Sequence, residues 1–136
     1  MNTTDRERLK SLAEENGLNK DHFFKAPQGF VIITRQGIER IQAHRGIQVR
    51  YDIIKLSDDL KFVVVKATGR MATKDATVEM ETFGESSPTN TKQAYPVAMA
   101  EKRALSRVVL KLTGFYEAGV YGQDEADEFR SGQPLD

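Results

Sequence analysis

Apolar residues along this chain change their spacing from helical to alternating and back, and those changes mark out the elements. From Thr4 to Asn16, Leu9, Leu12 and Ala13 recur at helical spacing, with Thr3 or Thr4 able to cap the start and Gly17 to stop it. Asn19 to Gln28, holding Phe23, Phe24 and Pro27, reads as a turn into the body. "GFVIIT", Gly29 to Thr34, is a short strand of β-branched and aromatic residues. Thr34 then caps a second helix, "RQGIERIQAHRG", with Ile38 and Ile41 inward, Gly46 at its end and Gly37 as an internal weak point.

Alternation takes over at "IQVRYDI", where Ile47, Val49, Tyr51 and Ile53 face one way and Gln48, Arg50 and Asp52 the other. "LKFVVVKATGRMA" and "ATVEMETF" follow as further strands, after turns at "LSDD" and near Thr73 to Asp75. Three sequential strands with short turns predict an antiparallel meander. "GESSPTNTKQAYP" has the composition of a polar surface loop. A long helix is expected from about Pro96, a residue favoured in first helical turns, to Thr113, with Gly114 closing it. Beyond Tyr121 the chain is polar, acidic and dotted with Gly and Pro, so fraying is expected there. The predicted class is α+β: a three-stranded antiparallel β-meander packed with a long C-terminal helix, a β-β-β-α core preceded by a short strand and helices. The expected divisions are 1–28 as N-terminal helix and connector, 29–116 as the core domain and 117–136 as an acidic, flexible tail.

The long helix has two contrasting faces. Val97, Ala98, Ala104, Leu105, Val108, Val109 and Leu112 fall within about 140° of arc and form the expected core-facing stripe. Arg103, Arg107 and Lys111 line up on another side, spread over about 80°. Lys102 flanks the apolar arc from its far edge, and Glu101 falls inside it, where an unpaired carboxylate is costly. A solvated helix side would account for the cations, but no acid lies four residues before them to form the usual helical pairs. A repelling row is tolerable when a polyanion such as a phosphate backbone occupies it. Arg50, Lys61 and Lys66 decorate the predicted strands. Tyr51, Phe62 and Phe83 are able to stack on bases, although strand spacing favours a core position for each.

Composition sets outer limits. The 136 residues suit one domain, 39% are hydrophobic and 29% charged, and net charge is zero. Charge is unevenly spread: Lys20 to Lys55 holds seven cations against three acids, whereas the residues from Glu117 onward hold six acids against Arg130 alone. The absence of cysteine rules out disulfides, thiolate metal sites and a cysteine nucleophile, and fits a reducing cytoplasmic location. The charged N-terminus does not resemble a secretory signal, and no apolar run reaches the roughly 18 residues of a membrane span. "DEAD" at Asp124 to Asp127 lacks the phosphate loop a helicase needs. Glu79 and Glu81 on one strand face read as polar sheet decoration rather than metal ligands. His22 and His44 are too far apart to read as a metal pair, and His44 suits a helix C-terminus. No catalytic residue, metal or cofactor is expected.

"ITRQGIERIQ", the meander and "YPVAMAEKRALSRVVLKLTGF" together resemble the single-strand annealing proteins of phage and recombination systems, the superfamily that includes the Erf, Red-beta and Rad-type annealers. The local pattern is carried by Lys102, Ala104, Leu105, Ser106, Lys111, Gly114 and Phe115, within residues 29 to 116. The resemblance implies non-catalytic binding and annealing of single-stranded DNA, or RNA, by a homo-oligomeric ring or filament. It also implies backbone contacts from Arg103, Arg107, Lys111 and Lys102 on the helix and from Arg50, Lys61 and Lys66 on the strands. The alternatives are a small phage or mobile-element interaction module, an adaptor or inhibitor without nucleic-acid binding, and, more remotely, a metal-dependent nuclease.

Overall fold

The computed structural model describes residues 3–89 and 95–125. Helix α1 spans Thr3–Glu15, followed by a 3-10 turn at Lys20–His22 and two short strands, β1 (Phe23–Lys25) and β2 (Val31–Ile33). Helix α2 (Arg35–Arg45) is capped by the Thr34 side chain, which accepts from the Gly37 N–H, and ends on Gly46 in the left-handed conformation. Strands β3 (Gln48–Leu56), β4 (Val63–Ala72) and β5 (Thr77–Ser86) form the antiparallel meander in the order β3-β4-β5. Helix α3 runs from Pro96 to Thr113 and is followed by β6 (Val120–Gly122). The α+β class and the meander packed on the long helix stand as expected.

Strand parity separates the two faces of the large sheet. Val63, Val65, Ala67 and Met71 of β4 are buried beneath α3 with the rest of the core. The intervening residues Val64, Lys66, Thr68 and Arg70 belong to the opposite face. Contact between α3 and β5 is backbone-close, because a Cβ at Gly84 would lie 2.1 Å from the Ala100 carbonyl oxygen and 2.5 Å from the Ala104 nitrogen. The Thr82 hydroxyl donates to the Ala104 carbonyl at 2.8 Å and pins the same crossing.

A second sheet, in the order β1-β2-β6, was not anticipated. Its strands have only three residues each, too short for a periodic signal. β6 pairs parallel to β2 and presses on the far side of α3, where a Cβ at Gly122 would meet the Ser106 Cβ at 2.9 Å. Helix α3 is therefore an inner layer, flanked by the large sheet on one side and by β6 and α2 on the other. Ile33, Ile38, Ile41, Phe115 and Val120 join the same core from that side.

Three boundaries shift accordingly. Residues 23–25 of the expected connector are a strand of the second sheet. The expected tail begins inside the fold: Val120 and Gly122 are buried, the Gln123 side chain accepts from the Arg35 N–H at the start of α2, and Asp124 accepts from Arg35 Nη2 at 2.6 Å. The remainder of that tail, 126–136, lies outside the described residues, as do 90–94 of the expected polar loop. The third strand also runs through Ser86, three residues past its expected end. Gly37 is no weak point, since a Cβ there would come within 2.6 Å of Ile33 Cγ1; it lets α2 approach β2.

Candidate nucleic-acid interface

The expected row of Arg103, Arg107 and Lys111 does not form an open cationic groove. Arg103 is 2% exposed and its Nη1 donates to the Glu85 carbonyl at 2.8 Å. Arg107 donates from Nη1 to the Phe83 carbonyl at 2.6 Å, and its guanidinium pairs with both Glu85 oxygens at 3.0 Å and with Glu125 at 2.9 Å. Burial alone would lower the Arg107 pKa, but hydrogen bonds and charge from Glu85 and Glu125 prevail and hold it above its ordinary value. Both arginines thus dock against the free edge of β5 and satisfy carbonyls that no neighbouring strand reaches. Lys111 is exposed in the last helical turn, where its charge suits the negative end of the helix dipole.

The expected apolar stripe holds at Ala104, Leu105, Val108, Val109 and Leu112 but fails in the first helical turn. Val97 is 37% exposed and Ala98 is also exposed, whereas Met99, Ala100, Ser106 and Leu110 are buried. A two-sided helix has no single core face, so a one-stripe reading of its periodicity misses the residues buried on the second side, and it also misplaces the first turn. Glu101 is exposed rather than buried, in a groove of about 770 Å³ also lined by Leu60, Lys61, Pro88, Tyr95 and Val97. Burial and the nearby Glu101 charge push the Tyr51 hydroxyl up to about 12. Lys102 is half-buried on α3, and Lys61 sits in the β3–β4 turn, where its N–H donates to Asp59.

Arg50 and Lys66 are the two predicted site residues that come together. They lie on the face of the large sheet turned away from α3, where cross-strand rows read Arg50–Thr68–Glu81, Asp52–Lys66–Phe83 and Lys55–Val64–Glu85. Phe83 and Phe62 are each 50% exposed, against the expectation of core positions. Phe62 joins Lys55, Val64 and Glu85 around a hollow of about 410 Å³ at the end of this face. The Thr68 side chain is almost wholly buried, and its hydroxyl has no hydrogen-bond partner among the described residues.

Charge on this face is balanced. Arg50 lies 4.0 Å from Asp52, Lys66 3.0 Å from Glu81 and Arg70 3.4 Å from Glu79. Glu79 and Glu81 are thus paired to cations rather than to each other, and no cluster of metal-ligating side chains occurs among the described residues. Lys55 and Arg70 were not among the expected site residues, and Phe62 and Phe83, noted as able to stack on bases, were expected in the core; strand parity carried forward from "IQVRYDI" was the available signal. No helix among the described residues is long and apolar enough to cross a membrane. No family model, characterised protein or solved structure matches the chain significantly.

Proposed function

We propose that the protein binds single-stranded nucleic acid on the open face of the large sheet and, by resemblance to the annealers, brings complementary strands together without a catalytic step. The observation that carries this reading is the pair of half-exposed phenylalanines, Phe62 and Phe83, set beside Lys55, Lys66 and Arg50 on a face that α3 leaves uncovered. Base stacking on an aromatic ring contributes about 1–3 kcal/mol per base and tolerates any sequence. The ion pairs Arg50–Asp52 and Arg70–Glu79 are exposed and Lys66–Glu81 is partly so, with the Lys66 side chain 27% exposed, so exchanging a carboxylate for a phosphate costs little. Released from Glu81 and Glu79, the Lys66 and Arg70 side chains reach a backbone lying across the strands.

Stacking rather than charge dominates this mode. Among the described residues four cations face the strand, Arg50, Lys55, Lys66 and Arg70, so the log–log salt slope should be about minus 3 for a single strand. Fluorescence anisotropy of a labelled oligonucleotide tests the reading: Phe62→Ala and Phe83→Ala should each weaken binding about tenfold. Unchanged affinity in both variants would remove it. The charge balance of the same face favours a second reading, an interaction module that docks a protein of mixed charge. Under that reading no oligonucleotide binds at any salt concentration.

A further inference from the structure

The large sheet has two edges, and they are treated differently. Along β5, Arg103 and Arg107 occupy the carbonyls of Glu85 and Phe83. Among the described residues the β3 edge has no neighbouring strand, and every residue of β3 except Val49 and Tyr51 is exposed. Ile53 is 58% exposed, a costly position for a large apolar side chain on a lone strand. Native sheets usually blunt such an edge; here the one irregularity is the register shift between Ile53 and Lys55, which leaves the preceding residues regular.

Those preceding residues read Val49-Arg50-Tyr51-Asp52-Ile53: apolar, cation, aromatic, anion, apolar. The pattern is its own complement when reversed. We infer that β3 pairs antiparallel with β3 of a second copy about a two-fold axis at Tyr51, joining two meanders into one continuous six-stranded sheet. In this register Arg50 of each copy lies opposite Asp52 of the other, Val49 opposite Ile53, and Tyr51 opposite its own mate. Paired residues share parity, so outward-pointing backbone groups of one strand meet those of the other, as an antiparallel ladder requires. Within a single chain Arg50 and Asp52 make only a 4.0 Å contact with side chains 68% and 49% exposed; across the axis they become two directly opposed pairs.

The isologous contact uses the β3 edge of both copies, and Arg103 and Arg107 occupy the Glu85 and Phe83 carbonyls at the C-terminal end of each β5 edge. The inference does not depend on nucleic-acid binding, although the joined sheet would place two copies of the open face side by side. Sedimentation velocity without nucleic acid, from low to high micromolar protein, should show a monomer–dimer equilibrium. Arg50→Asp sets carboxylates opposite each other twice and should weaken the dimer about tenfold or more, as should Asp52→Arg with cations. The swapped double variant, Arg50→Asp with Asp52→Arg, restores both pairs and should recover the wild-type constant to within about threefold. Circular dichroism establishes that each variant is folded, and either single variant serves if the other is not. A monomer at every concentration, self-association indifferent to both single changes, or a swap that fails to restore it would each overturn the inference.

Discussion

Arg107 shows how one side chain loses its availability to a ligand. Its guanidinium meets Glu85, Glu125 and the Phe83 carbonyl, and Tyr116 donates its hydroxyl to the same Glu125 oxygen at 2.7 Å. These acids stand 22 and 18 positions away in the chain, beyond the reach of any rule about neighbours four residues apart. The lack of a local acid was legible; the distant ones were not, because they depend on how β5 and the 123–125 segment pack. Glu125 is 7% exposed, so Arg107→Met would strand a buried carboxylate and should cost about 3 kcal/mol in urea unfolding. Alkali should also destabilise the fold. Burial and Glu101 raise the Tyr51 pKa from 10.0 to about 12, and burial followed by Glu125 raises that of Tyr116. The unfolded chain releases these protons first, so the favourable contribution is complete below pH 10 and fades as pH climbs through about 12. Tyr51→Phe should flatten part of that decline in the urea midpoint, and a midpoint that is level over the same range would contradict it.

At the scale of elements, α3 decides most of what the sequence did and did not disclose. Pro96, the apolar periodicity and Gly114 located its ends, and alternation from Ile47 onward located the meander. The second layer over α3 was invisible, since its strands have three residues each and β6 pairs with β2 from the far end of the chain, Val120 opposite Val31. Arg103 appeared solvent-facing because its partner, the Glu85 carbonyl, lies 18 positions away on β5. Changing Arg103, Arg107 and Lys111 together to Glu should therefore unfold the protein, whereas Lys111→Glu alone should cost less than about 1 kcal/mol, read by thermal melting. The crossing at Gly84 is equally demanding. Gly84→Ala drives a methyl into the α3 backbone at Ala100 and Ala104, and should destabilise by about 3 kcal/mol or more in chemical denaturation. A loss under about 1 kcal/mol would mean that α3 sits farther from β5 than described.

For the whole molecule, the layers explain where a ligand can sit. The inner face of the large sheet is occupied by α3 and two carbonyls of the β5 edge by its arginines, and among the described residues the outer face and the β3 edge are left uncovered. Zero net charge in the chain is matched by balanced charge on that face, so under the proposed reading strand capture would rest on aromatic contact. The most direct measurement is a backbone amide NMR titration with a short single-stranded oligonucleotide. The account predicts shifts concentrated at Arg50, Lys55, Phe62, Val64, Lys66 and Phe83, with the α3 amides beneath the sheet little changed. Shifts centred instead on Lys102 and Lys111, or none at saturating oligonucleotide, would contradict it.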